Sequence, residues 1–151
     1  MIHIEELQID DLTQVMEIEG ADAKEGWTKE GYFSFLIRED TLFLAIKEDG
    51  KLLGHCGVLL LAWEAEVLNV FIKKSRRREG LGRCLLEEMI KQCGKKNVRD
   101  LYLEVRASNQ AAIHLYEQLG FKRLGLRSHY YSNPIEDAVL MSLECRKEES
   151  K

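Results

Sequence analysis

Two apolar runs constrain the fold of this chain more than any other feature. "EAEVLNVFI" (Glu64 to Ile72) and "DLYLEVRAS" (Asp100 to Ser108) carry the branched and aromatic residues that favour strands. Between them lies a long segment that is itself amphipathic: Leu81, Leu85, Met89 and Cys93 recur at intervals of four, with Leu86 and Ile90 alongside. A hairpin needs only a short turn, so a helix-length connection reads as a right-handed crossover between two parallel strands. Gly94 is placed to end that helix.

The rest of the chain completes a mixed pattern. Asp10 or Asp11 can cap a first helix that carries Leu12, Val15, Met16 and Glu19. Thr28 can cap a second, with Trp27 and Tyr32 spaced as a hydrophobic staple. "TLFLAIK" (Thr41 to Lys47), "EDGK" and "LLGHCGVLLL" read as a hairpin, and the Glu64 to Ile72 strand is apolar enough to be covered on both faces. "NQAAIHLYEQLG" predicts a helix capped by Ser108 or Asn109 and stopped by Gly120; "DAVLMSLE" predicts a closing strand. From Glu64 the order is strand, helix, strand, helix, strand, strand, which makes the class mixed α/β. One proline, Pro134, and no low-complexity linker predict a single domain over 1–151, with a polar tail from about Cys145.

Bulk properties exclude several functions. Lys plus Arg number 22 against 26 Asp plus Glu, and a net charge of -4 argues against a general nucleic-acid binder. The longest apolar run, Val58 to Trp63, is too short to cross a bilayer, and "MIHIEELQIDD" is too acidic for a signal peptide. Cys56, Cys84, Cys93 and Cys145 show no metal-ligand spacing, so they read as free thiols of a cytoplasmic protein without a metal.

Against that acidity stands one basic cluster. Lys73, Lys74, Arg76, Arg77 and Arg78 are followed by Glu79-Gly80-Leu81-Gly82 and then the crossover helix. First-turn N–H groups carry partial positive charge, so cations there are misplaced unless an anion binds. A P-loop would need Lys-Ser/Thr after the glycines, where Arg83 and Cys84 stand, and a dinucleotide fingerprint would need glycine at Leu85. The plainer alternative is that Ser75 caps a longer helix and the arginines form a solvated face.

With these residues set out, the chain resembles a known family. Arg77-Arg78-Glu79-Gly80-Leu81-Gly82 matches the Arg/Gln-x-x-Gly-x-Gly/Ala motif of the GCN5-related N-acetyltransferases. "LYLEVRASNQAAIHLYEQLGFKRLGLRSHYY" (Leu101 to Tyr131), followed by "EDAVLM" (Glu136 to Met141), resembles the RimI-type branch, which acetylates the N-terminal alanine of a ribosomal protein. The correspondence runs from about Val67 to Met141. It implies a three-layer fold whose mixed sheet of six to seven strands splays centrally between about four helices. It also implies acetyl-coenzyme A as co-substrate and an acceptor protein N-terminus as partner. Val70, Phe71 and Ile72 would meet the pantetheine arm through their backbone. Arg77, Arg78, Glu79, Gly80, Leu81, Gly82 and Arg83 would hold the pyrophosphate, and Asn109 would touch the cofactor. Glu104 falls at the general base and Tyr116 at the general acid, while Arg127, Tyr130 and Tyr131 would shape the acceptor pocket.

The residues themselves leave alternatives. Glu104 shares a strand face with Arg106 and could simply pair with it. Tyr116 could be ordinary core among Ile113, Leu115 and Leu119. His114 points away from Tyr116 and reads as surface, and Cys84 reads as a packing residue. Acetylation of a small amine or lysine, or a non-catalytic acyl-coenzyme A sensor, would use the same cradle. A lysine amine, with a pKa of about 10.4, is harder to deprotonate than an α-amine at about 8, so a single carboxylate suits the α-amine better.

Overall fold

The computed structural model describes residues 1–20, 27–132 and 134–145, and every structural statement concerns those residues. β1 (Ile2–Glu6) leads through a 3-10 turn (Ile9–Asp11) into α1 (Leu12–Glu19), and α2 (Lys29–Leu36) follows. The hairpin β2 (Thr41–Glu48) and β3 (Lys51–Leu61) precedes β4 (Glu64–Ile72), and α3 (Leu81–Lys95) crosses to β5 (Asp100–Arg106). Then come α4 (Gln110–Gln118), β6 (Lys122–Tyr131) and β7 (Glu136–Glu144). All seven strands form one sheet in the order β1-β2-β3-β4-β5-β7-β6. β4 and β5 are parallel and every other pair is antiparallel.

The helices stop and start for local reasons. Thr28 Oγ1 accepts from Gly31 N at 3.0 Å, and the Trp27 and Tyr32 rings lie 4.9 Å apart, as the staple predicts. Asn109 Oδ1 accepts from Ala112 N at 3.2 Å, so Asn109 rather than Ser108 caps α4, and Gly120 ends it at φ 104°. Leu81, Leu85, Leu86, Met89 and Cys93 form the buried stripe of α3. Two expectations change. Gly94 lies inside α3, and Asn97, at φ 67°, takes the left-handed turn after it. Asp11 makes no cap to α1; its carboxylate accepts from Gln8 N and from Lys47 Nζ, both at 2.8 Å.

The alternating faces of the sheet split the core in two. Leu42, Leu44, Cys56, Val58, Leu101 and Leu103 pack against α3 and α4 on one side. Phe43, Ala45 and Leu52 pack against α1 and α2 on the other, with Leu12, Val15 and Tyr32. The result is the three-layer arrangement expected. β4 departs from expectation: apart from Ala65 it is half-buried or exposed, because the sheet opens beside it.

Candidate functional site

That opening is set by register. β4 pairs with β5 only at Glu64–Asp100, Ala65–Leu101 and Glu66–Tyr102. On its other side β4 keeps pairing with β3 up to Ile72, but Val58 opposes Val67 and Gly57 opposes Asn69. Leu68 is thus an extra residue, a bulge that bends β4 away from β5. Past Glu66 the free backbone edge of β4, including Val70, Phe71 and Ile72, faces a gap.

Side chains reach this gap from both faces. On β5, Leu101, Leu103 and Val105 are buried toward α3 and α4, while Tyr102, Glu104 and Arg106 face the opposite way, beyond the cover of α1 and α2. A cavity of about 260 Å³ opens there, lined among others by Leu61, Glu64, Glu66, Glu104, Leu124 and Arg127. Glu104 Oε2 is buried with no hydrogen-bond partner, and Arg127 Nε is 3.8 Å from it. Arg127 lies over the Tyr130 ring at 5.4 Å. Burial and then the Glu104 carboxylate push the Tyr130 phenol pKa up. The structure therefore gathers Glu104, Arg127 and Tyr130, and Tyr131 packs edge-on against Tyr130 at 5.0 Å with its ring under the Arg106 guanidinium at 4.5 Å. The Glu104–Arg106 pair does not form: Arg106 binds Glu136 Oε1 at 3.2 Å and the carbonyls of Ser132 and Pro134, pinning the β6–β7 connection.

Tyr116 projects from α4 into the core on the other face, 8% exposed and edge-on to Phe121 at 5.6 Å. Burial, with a smaller contribution from Cys56, pushes its phenol up to about 12. Cys56, on β3, stands directly opposite Val70 of β4; Tyr116 and Glu104 lie on opposite faces of the sheet.

The basic cluster forms no longer helix. Lys74 to Arg76 make a separate 3-10 turn, and α3 starts at Leu81 with Gly80 (φ 82°) before it and no side-chain cap. Arg78 also takes a positive φ, 66°. The arginines divide their work. Arg76 is held by Glu79 at 2.9 Å and Glu48 at 2.8 Å. Arg77 donates to the Ile72 carbonyl at 2.9 Å and covers the Phe71 ring at 5.1 Å. Arg78 and Arg83 are exposed, the latter 3.5 Å from Glu87. A Cβ on Gly80 would meet nothing within 4 Å, whereas one on Gly82 would touch Leu115 and Ile72 at 3.5 and 3.6 Å. Uncapped first-turn N–H groups, an open glycine and Arg78 beside it fit an anion. Asn109 spends its side-chain oxygen on α4.

Sequence reasoning missed the cavity residues Glu64, Glu66 and Leu124, and the strut Glu136, which also accepts from Ser108 N at 2.5 Å. Alternation along β4 could have put Glu64 and Glu66 on one face, but the β4–β5 register that brings them near Glu104 is a tertiary fact. Among the described residues no group of three or more His, Cys, Asp or Glu could hold a metal ion, and no helix is long and apolar enough to cross a membrane.

Residues 12–121 match the acetyltransferase (GNAT) family model. The chain is 37% identical over 142 residues to the ribosomal protein bS18-alanine N-acetyltransferase of Escherichia coli K12, covering 93% of this chain and 95% of that one. It is 34% identical over 139 residues to a Bacillus subtilis protein named as a putative enzyme of the same kind, covering 91% and 92%. The crystal structure of the Escherichia coli ribosomal-protein-S18-alanine N-acetyltransferase superposes with a TM-score of 0.88 at 34% identity, over 100% of this chain and 98% of that one. Ard1 from Thermoplasma volcanium, at 24% identity, shares the fold with a TM-score of 0.87.

Proposed function

The chain belongs to the acetyltransferase (GNAT) family and is an acyltransferase, and from that premise we propose that it carries the acetyl group of acetyl-coenzyme A to the N-terminal α-amine of a ribosomal protein beginning with alanine. In this reading residues 1–151 act as one domain, in the cytoplasm where such acceptors are made. The observation that carries it is the placement of Glu104: a carboxylate with a buried oxygen that takes no hydrogen bond, at the wall of a cavity that also takes in the last β5-paired residues of β4, Glu64 to Glu66.

Bound acetyl-coenzyme A supplies the activated acyl carbon. Backbone N–H groups at the start of α3, with Arg78 and Arg83, hold the pyrophosphate end, and Arg77 ties that cradle to β4. Val70 to Ile72 align the pantetheine arm along the gap, and an N–H on that edge stabilises negative charge on the carbonyl oxygen. Glu104 takes the amine proton, directly or through a water. An α-amine with a pKa of about 8 is already about a tenth neutral at pH 7, so the base needs little strength. Arg127 and Tyr130 border the acceptor side, with Tyr131 behind them.

Tyr116 is better suited to hold sulfur than to protonate it. With its phenol at about 12, full transfer to a thiolate of pKa near 8.5 is uphill by about 5 kcal/mol. A hydrogen bond that stabilises the departing thiolate requires no such transfer.

The test compares thiol release with an alanine-initial ribosomal-protein peptide, spermidine and free amino acids. Preference for the peptide is expected. No peptide turnover alongside acetylation of spermidine would replace this acceptor with a small amine.

A further inference from the structure

A polar cluster lies inside the otherwise apolar layer between the sheet and α1–α2, and none of the chemistry above uses it. The Tyr32 hydroxyl donates to Glu19 Oε2, the last residue of α1, and Asn69 Nδ2 donates to the Tyr32 oxygen at 2.8 Å. His55 Nε2 stands 2.7 Å from the same Glu19 oxygen. Tyr32, Glu19 and His55 are 2%, 4% and 0% exposed. Burying a carboxylate and an imidazole is costly where packed hydrocarbon would serve stability better, so the arrangement calls for a role in placing something.

What it grips is the bulged segment of β4. Asn69 follows the extra residue Leu68 and is held through its side chain by Tyr32. Phe71, two residues on, stacks on His55 at 6.1 Å and 19° between the ring planes. Val70 lies between these two holds. The polarity of the chain of bonds is fixed. Tyr32 gives its one proton to Glu19, so it can only accept from position 69, and only an amide N–H, not a carboxylate, can supply that bond. Across from Asn69, position 57 must be glycine, because a Cβ there would lie 2.2 Å from the Phe43 ring of β2.

We propose that Asn69 is a positioning residue for acyl transfer, held by Tyr32, Glu19 and His55 so that the backbone at Val70 to Ile72 meets the thioester carbonyl in its working orientation. The inference rests on the reading that this edge of β4 receives acetyl-coenzyme A. Asn69→Asp keeps size but removes the donor; Glu19→Gln in the same chain can donate to Tyr32 and release its proton to Asp at 69, restoring the bonds with reversed polarity. With the carbonyl carbon of acetyl-coenzyme A isotopically labelled, NMR of the bound thioester reads polarisation of the carbonyl without any acceptor. The expected result is a bound-state shift that shrinks in Asn69→Asp and returns in the double variant, with a roughly tenfold fall and recovery of kcat and an unchanged Kd for acetyl-coenzyme A by calorimetry. A carbonyl shift and kcat unaltered by Asn69→Asp would overturn the proposal, as would losses that track Kd and thermal stability without recovery in the double variant. Absence of acetyl-coenzyme A binding by the unaltered protein would instead overturn the reading on which the proposal rests.

Discussion

Glu104 and Tyr116 have opposite problems, and their substitutions should show it. Glu104 keeps a buried oxygen without a hydrogen bond, available to a proton from the acceptor. Glu104→Gln keeps the shape and removes the proposed base; kcat/KM for the peptide should fall by roughly a hundredfold or more. Turnover at the unaltered rate would reject the assignment. Tyr116→Phe should lower kcat about tenfold with little change in KM, because in the proposed mechanism its hydroxyl acts on the departing sulfur. The raised phenol pKa, about 12, also fixes a pH profile. The activity of the unaltered protein should climb as the acceptor amine loses its proton near pH 8 and hold level to about pH 10, since Tyr116 still carries its proton there. A descending limb below that would show that another acid controls the step.

The two glycines of the cradle separate into different jobs at the level of α3. Gly80 has a positive φ and open space where a side chain would stand; Gly82 faces Ile72 and Leu115 at ordinary contact distance. Gly80→Ala should therefore lose about 1 kcal/mol of stability from backbone strain and also weaken acetyl-coenzyme A binding by filling the cradle. Gly82→Ala should keep or raise the Tm, because alanine is the better helix former. Calorimetric Kd values and melting curves for both variants check this, and equal behaviour would remove the distinction. Much at this scale was legible in the sequence. The periodicity of α3, the Thr28 and Asn109 caps and the alternation of β5 are local properties of chemistry and spacing, and each appears as read. The bulge at Leu68 was not legible, because "EVLNVFI" carries no glycine or proline to mark it and the extra residue exists only against β3. Nor could the sequence send Arg106 to Glu136 rather than Glu104, since a contact across 30 positions depends on how β5 and β7 register. The division of the basic cluster, with Arg76 turned to Glu48 on β2, was hidden for the same reason.

Taken whole, the molecule buries an unusual set of weak acids. Cys93 is pushed up to about 12, Cys145 to about 11 and Tyr116 to about 12, while Cys56 and Tyr32 are also raised; burial is the first cause in each case. Unfolded thiols ionise near 8.5 and phenols near 10, so above about pH 8.5 the unfolded chain holds fewer protons than the folded one and stability falls as pH rises. The Tm should be level from about pH 7 to 8 and drop through about pH 9 to 11, with a shallower drop in Cys93→Ala. An unchanged Tm across that range would show that these groups do not stay protonated in the fold.

The sheet that holds the proposed site is also a partition. Glu104 and its cavity open on one side, and Tyr116 and the start of α3 lie toward the other. In the proposed mechanism the acceptor meets Glu104 from the cavity side and acetyl-coenzyme A lies toward α3, so the two reactants would not queue for one entrance and each would load while the other is in place. Steady-state rates measured against both substrates should give intersecting rather than parallel double-reciprocal lines. Such traffic would follow from one bulged strand parting from its neighbour.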